Sequence, residues 1–375
     1  MGHNGAVTRS DANTSSRRRW IALGAFFLVL VVAGGLAFGW NAWRQAPPAV
    51  VDQPIASPPT ATATPKAPIV VIVSIDGFNP EGLALLGKAS APHLTQIAQR
   101  GASTMNARTS RDSTKTLPNH TGMLTGREIN GAHGHGVDFN DDNGSTLAAD
   151  TGTYVPGIFD VAHDRGLRTA FFAEKDKFTY LLRSWDSVHG AADTTGDDNG
   201  ADKIDHWNIA DAAQIVSEAT SLIEAQHTDV IFVHLASADR AGHAHGWLSD
   251  AYLTALVSVD DSIGAIRTAI DTSERPATLI VTSDHGGPHG NTIHSDSTQL
   301  ANVRIPFMVY GDAVAKPGDL YELNPARTNP TNRLADGTRD HPIRNIDATN
   351  TALGILGLVP ISGAVSTTWP PIQLR

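Results

Sequence analysis

Three runs dominated by β-branched residues constrain this chain more than any other feature: 69–74 (IVVIVS), 229–235 (DVIFVHL) and 277–283 (ATLIVTS). Each is apolar on consecutive rather than alternate residues. That is the signature of a strand buried on both faces, as in a parallel sheet covered by helices. Two further strands are predicted over 167–173 and 303–310. Helical periodicity or a helix-stop glycine predicts helices over 91–101, 155–166, 210–226, 249–270 and 342–358. Strands alternating with helices define an α/β/α layered domain with a largely parallel central sheet. In such sheets ligand sites gather at the carboxyl ends of the strands. Asp76, Asp239 and Asp284 each follow one of the three runs by a few residues.

Two of these acids come with imidazoles. Asp239 and His243 are four residues apart and share a face if the segment is helical. Asp284 and His285 are adjacent, so turning both onto one ion requires a loop, and Gly286-Gly287 offers the backbone freedom for one. His289 and His294 follow in the same glycine-rich loop. A lone aspartate at a strand end is usually a helix cap or a solvated turn. Three at one edge, two with histidines nearby, favour a metal site, since carboxylate plus imidazole is an ordinary zinc ligand pair. Thr116, in DSTKTLPNHTG (112–122), stands just before Pro118, which reads as the first residue of a helix. Free backbone N–H groups are expected there. The chain has no cysteine, which removes disulfides, thiolate ligands and a cysteine nucleophile.

The N-terminal region is a separate object. Residues 1–19 end in an arginine triplet, and 21–40 are almost wholly apolar. About 20 apolar residues suffice to cross a bilayer core. Trp20, Trp40 and Trp43 fall where interfacial rings are favoured. We therefore expect a cytoplasmic tail (1–19), a single transmembrane helix (20–43), a Pro/Ala/Thr-rich linker (44–67) and a catalytic domain (68–375) held outside the cytoplasm, periplasmic or extracellular. A cleaved signal peptide is the rival reading, although its apolar core would usually be about 7–15 residues. Five arginines and Asp11 precede residue 45; of 28 basic and 38 acidic residues, 23 and 37 remain, a net charge of −14. So acidic a domain is not expected to bind nucleic-acid polymers.

Four blocks in order, SIDGF (74–78), TKTLPNHTGMLTG (114–126), DRAGH (239–243) and TSDHGG (282–287), resemble the alkaline phosphatase superfamily, in particular its type I phosphodiesterase/nucleotide pyrophosphatase branch. The resemblance runs with gaps over about 68–358. It implies an alkaline-phosphatase-like α/β/α sandwich carrying two Zn²⁺ ions and hydrolysing phosphodiester or pyrophosphate bonds through a phosphorylated threonine. By motif, Asp76, Thr116, Asp284 and His285 would surround one zinc, and Asp239, His243 and a later histidine the second. We take the last ligand as His294, over His289 and His341. Asn140, in HGVDFN (135–140), matches the oxyanion-binding asparagine. A zinc-bound Thr116 needs no neighbouring base, which accounts for its setting. The substrate would be a small phosphate ester or a membrane head group.

Leu117 stands where the family often has an aromatic ring, which weakens the case for a nucleotide substrate. Lys115 is the only positive charge in evidence beside Thr116, which favours a monoanionic diester over a dianionic monoester. A phosphomonoesterase and a head-group transferase remain the alternatives. The Cys/Ser-x-Pro-x-Arg sequence of sulfatases is missing. His120 is expected behind the ligands, His234 as a hydrogen-bonded core histidine, and 185–207 as a polar excursion over the site.

Overall fold

The computed structural model describes residues 66–110, 112–193, 200–335, 340–365 and 371–375. The expected tail, anchor and all but the last two residues of the linker lie outside these described residues. Among the described residues no helix is long and apolar enough to cross a membrane.

Eight strands form one sheet: β1 Ile69–Ile75, β2 Ala102–Arg108, β3 Thr169–Ala173, β4 His206–Ile209, β5 Val230–Leu235, β6 Ala277–Thr282, β7 Arg304–Gly311 and β8 Gly318–Asp319, in the order β4-β3-β5-β1-β6-β7-β2-β8. All run one way except β7, which is antiparallel to both neighbours. Every residue of β1, β3, β5 and β6 is buried, because helices cover both faces. Val70 and Ile72 of β1 pack with Phe232, Ile280 and the helices Thr116–Thr125 and Asp347–Ile355. The intervening Ile69, Val71, Val73 and Ile75 face the other way, onto the helices Pro92–Arg100, Ala212–Ala225 and Asp250–Asp271. Burying such a side chain contributes about 1.5–3 kcal/mol, so the central strands are the strongest part of the fold.

The order places β1 between β5 and β6, with β3 beyond β5. The three acid-tipped strands are therefore adjacent, and segments far apart in sequence emerge side by side. Gly77 (φ 70°) turns the chain at the end of β1. A Cβ there would stand 3.1 Å from the Asp239 backbone, so the position needs both a left-handed residue and one without a side chain.

Some boundaries differ from the sequence reading. The helix at the threonine starts on Thr116 itself, with Lys115 as its cap and Pro118 in its first turn. The helix expected over 155–166 shrinks to Ile158–His163. β2, β4 and β8 were not foreseen, being short or polar. Gly286 and Gly287 do not adopt positive φ. They are required for space: a Cβ on Gly287 would lie 2.1 Å from Trp247 Cδ2, and one on Gly286 2.2 Å from the Ala301 carbonyl. The described part of 185–207 does not cross the site. It is tied to the amino end of β3, where Thr169 donates through its N–H to Asp205 and through its hydroxyl to the Lys203 carbonyl. We predict that Gly287→Ala destabilises the domain by about 1–3 kcal/mol, the usual cost of overpacking, read as a lowered urea midpoint; an unchanged midpoint would show that Trp247 has room to move.

Candidate metal centre

The carboxyl ends of β1, β5 and β6 and the turn after β3 converge on one buried cluster. Asp76 leaves the tip of β1. Asp239 and His243 sit on the helix Ser237–His245, which begins directly after β5, and their i, i+4 spacing puts both on one face. Asp284 and His285 follow β6, and His294 comes from the loop beyond. The side chains form two groups, Asp76–Asp284–His285 and Asp239–His243–His294, each with its ligand atoms within 4.8 Å of one another.

The hydrogen bonds divide each carboxylate the same way: one oxygen held, the other open. Asp284 Oδ1 accepts from the N–H groups of Gly77 (3.1 Å) and His285 (2.9 Å). Asp76 Oδ2 accepts from Lys175 Nζ (2.5 Å) and His234 Nε2 (2.9 Å), and Asp239 Oδ2 from Lys175 Nζ (2.7 Å). Asp284 Oδ2, Asp76 Oδ1 and Asp239 Oδ1 are buried without a hydrogen-bond partner, as is His285 Nε2. Each imidazole is divided too. His285, His243 and His294 donate from Nδ1 to the carbonyls of Gly286 (2.8 Å), Thr292 (2.9 Å) and Thr114 (2.8 Å). Those bonds leave each Nε2 pointing into the cluster, the way metal-binding histidines are oriented. His294 Nε2 and His243 Nε2 are 3.2 Å apart, and His285 Nε2 is 3.3 Å from both Asp76 Oδ1 and Asp284 Oδ2. Buried polar atoms normally find partners. Open lone pairs facing one another across about 3–4 Å are what two divalent cations require, so the residues fit a dinuclear centre.

The electrostatics agree. Burial opposes ionisation of Asp76, but Lys175, then hydrogen bonds from His234 and His285, hold it well below the ordinary aspartate value. Burial and the charge of Asp76 push Asp284 up to about 8. Burial would lower His285, but Asp284 and Asp76 outweigh it and raise it to about 9. His294 is lowered to about 2 by burial and by His285. Asp284 and His285, both shifted up, therefore hold protons that a cation would displace.

The ligands rest on a floor that sequence reading missed. Trp247 is fully buried, donates from Nε1 to the Gly77 carbonyl (2.9 Å), and places its ring 5.2 Å from His243 and 5.3 Å from His294. His285 and His294, one from each group, stack at 3.5 Å. His120 and His234 lie behind the ligands as expected. His120 donates from Nδ1 to the Thr116 carbonyl and accepts at Nε2 from Ser74. Lys175 was not foreseen, because in AEKDKF it reads as one more solvated lysine. His289 and His341 belong to neither group.

Thr116 is buried at the start of its helix. It lies between Thr114, whose carbonyl holds His294, and His120, whose Nδ1 is 3.7 Å from Asp284 Oδ2. Asn140 is adjacent, its Oδ1 accepting from the Leu117 N–H (3.0 Å). The expected set of free N–H groups is not there. Leu117 is used by Asn140, Pro118 has none and Asn119 donates to Lys115, which leaves the N–H of Thr116. Leu117 itself is wholly buried in the core, so no residue at that position stacks on a base. Lys115 reaches away to the Asp138 carbonyl (3.0 Å).

A largely parallel sheet carries this candidate metal-binding cluster at its carboxyl edge, a fold shared with alkaline-phosphatase-like proteins. Residues 70–354 match the family described as type I phosphodiesterase/nucleotide pyrophosphatase, and the chain belongs to that family. Murine ectonucleotide pyrophosphatase/phosphodiesterase 5, solved in complex with AMP, superposes over 78% of this chain and 96% of its own with a TM-score of 0.53 at 14% identity. The C-terminal periplasmic domain of a phosphoethanolamine transferase from Campylobacter jejuni does so over 80% and 91% with a TM-score of 0.50 at 12% identity. Among curated proteins, GPI ethanolamine phosphate transferase 1 of Emericella nidulans is 28% identical over 180 residues, 43% of this chain. The alignment spans 18% of that relative's length.

A pH dependence follows from the raised groups. Asp284 and His285 hold protons in the folded state that the unfolded chain releases at the ordinary values of 3.8 and 6.5. Their stabilisation is complete below those values and lost as pH rises through about 8 and 9. Asp76, shifted down, loses its contribution only in acid. Under chelation the melting temperature should therefore fall from about pH 4 to 9, most steeply between about 6.5 and 8 where both groups contribute, and saturating zinc should flatten that slope by taking the proton's place. Scanning fluorimetry with and without chelator checks this; a flat chelated profile would contradict the charge balance described.

Proposed function

We propose that the chain is a metal-dependent phosphoric ester hydrolase with Thr116 as its nucleophile. The observation that carries this is the division of the three aspartates, each with one oxygen held by the protein and one open beside imidazole lone pairs. Asp76, Asp284 and His285, with Thr116, would hold one divalent cation, and Asp239, His243 and His294 the other. Such a pair, zinc or another divalent transition metal, would supply Lewis-acid stabilisation of the charge that develops on the phosphoryl oxygens and the leaving group.

The chain's own groups do the remaining work. Thr116 Oγ1 attacks phosphorus, forming a Thr–O–P bond as the bond to the leaving oxygen breaks, and the hydroxyl proton of Thr116 passes to that leaving oxygen. Water then attacks the same phosphorus, releases phosphate or a phosphate ester and returns a proton to Thr116. Asn140 Oδ1 is occupied by the Leu117 N–H, which leaves Nδ2 as a donor for a phosphoryl oxygen. His120 fixes the first turn of the nucleophile's helix through the Thr116 carbonyl. The family description supports phosphodiester or pyrophosphate bonds as the targets.

A head-group transferase is the second reading, favoured by the resemblance to two proteins named as ethanolamine phosphate or phosphoethanolamine transferases. An acceptor alcohol would then replace water in the second step. The apolar segment 20–43 would tether either enzyme to a membrane with its site outside the cytoplasm.

Thr116→Ala should lower turnover by at least about a thousandfold while metal content by mass spectrometry stays unchanged. Retention of substantial hydrolysis in this variant would remove Thr116 from the mechanism. Incubation with a phosphoethanolamine donor and an acceptor alcohol separates the two readings: free phosphoryl product marks a hydrolase, and a head-group adduct of the alcohol marks a transferase.

A further inference from the structure

Lys175 joins the two metal-binding groups. Its Nζ lies 2.5 Å from Asp76 Oδ2 and 2.7 Å from Asp239 Oδ2, one residue from each group. The oxygens it holds are not the open ones, which are Asp76 Oδ1 and Asp239 Oδ1. Ammonium and metal cations therefore take different oxygens of the same carboxylates, and both fit at once. An ammonium has three donors, and two are used here. Lys175 is 16% exposed and lines a cavity of about 580 Å³ with Lys177, Thr179 and Arg240. Arg240 is occupied by Glu174, and Lys177 stands 3.8 Å from Asp141. Lys175 is thus the positive side chain built into the centre.

The charge balance shifts accordingly. Three carboxylates against two divalent cations would leave one net positive charge, or none with Thr116 as the alkoxide, and Lys175 adds one in either state. A diester group carries one negative charge; a terminal phosphoryl group carries two.

We propose that Lys175 is a specificity-determining residue: by adding a fixed positive charge between the two ligand groups, it adapts the site to a dianionic phosphoryl group, as in a phosphate monoester. This rests on the hydrolase reading above and moves its substrate class from the diester targets of the family description to monoesters.

The test uses the metal-loaded chain, its K175M and K175R variants, p-nitrophenyl phosphate and bis-p-nitrophenyl phosphate, with inorganic phosphate binding followed by calorimetry. K175M should keep its zinc, lose at least about tenfold more kcat/KM on the monoester than on the diester, and bind phosphate correspondingly more weakly. K175R, which keeps the charge, should restore most of both. Equal losses on the two substrates, or phosphate affinity unchanged in K175M, would overturn the proposal and leave Lys175 as a structural tie. If K175M does not hold its metals, the wild-type chain decides: methyl phosphate should bind at least about tenfold more tightly than dimethyl phosphate, and equal affinities overturn the proposal. A wild-type chain that binds zinc but hydrolyses neither ester would count against the hydrolase reading instead.

Discussion

Half of every aspartate in this centre is satisfied by the protein and half is not, and the rest of the structure is arranged around that division. Burying a carboxylate costs several kcal/mol unless its charge is offset. Here three are buried within reach of one another. The fold offsets one oxygen of each with its own donors: two backbone N–H groups for Asp284, Lys175 and His234 for Asp76, Lys175 for Asp239. The remaining oxygens face three imidazole nitrogens whose hydrogens have been directed elsewhere, onto backbone carbonyls. A structural ion-pair network would have satisfied both halves. The half left open is what makes the cluster a candidate cation site.

The sheet order makes that division possible. With β1 between β5 and β6, the turn at Gly77 serves three partners at once. Its N–H holds Asp284, and its carbonyl accepts from Trp247 and Tyr252. Trp247 then braces His243 and His294 from below. β3, next to β5, delivers Lys175 from its carboxyl end, and Glu174 anchors that turn by accepting from the Ala236 N–H and from Arg240. Ligands from segments more than 200 residues apart are held by bonds that span those separations, such as Gly77 to Asp284. The candidate ligands are consequently held by the protein's own bonds, on strand ends, one helix and a loop tied at His294 to Thr114.

How much of this was legible in the sequence depended on whether the signal was local. The buried strands were, because a parallel strand writes its burial into consecutive apolar residues. So were the acids at their tips and the i, i+4 pair Asp239–His243, whose helical spacing is a local property. His294 could be ranked ahead of His289 and His341 only by motif order; what sets it apart physically is its bond to the Thr114 carbonyl, 180 residues away. Trp247 and Lys175 were invisible for the same reason. Nothing beside them in sequence marks them, and their importance comes from partners brought in by other strands. The short polar β4 and the two-residue β8 carry too few side chains to write any periodicity. The glycines after His285 were noticed, but for conformational freedom, when the ring of Trp247 and a carbonyl are what exclude a side chain there.

The start of the helix that carries Thr116, the proposed nucleophile, bears on how charge in this site would be handled. A helix N-terminus usually attracts anions through its unpaired N–H groups. Here the first turn has spent most of them: Pro118 has none, Asn119 is turned back to Lys115, and Leu117 is taken by Asn140. On the proposed function, an incoming phosphoryl group would therefore meet one backbone donor at Thr116, the free amide of Asn140, the ammonium of Lys175 and the cations that the open oxygens would hold. Most of that attraction comes from point charges rather than the helix dipole. Because Lys115 is directed away to Asp138, the fixed positive charge of the protein itself comes down to Lys175. On that proposal the preference between singly and doubly charged phosphoryl groups would turn on one lysine that nothing beside it in sequence marks.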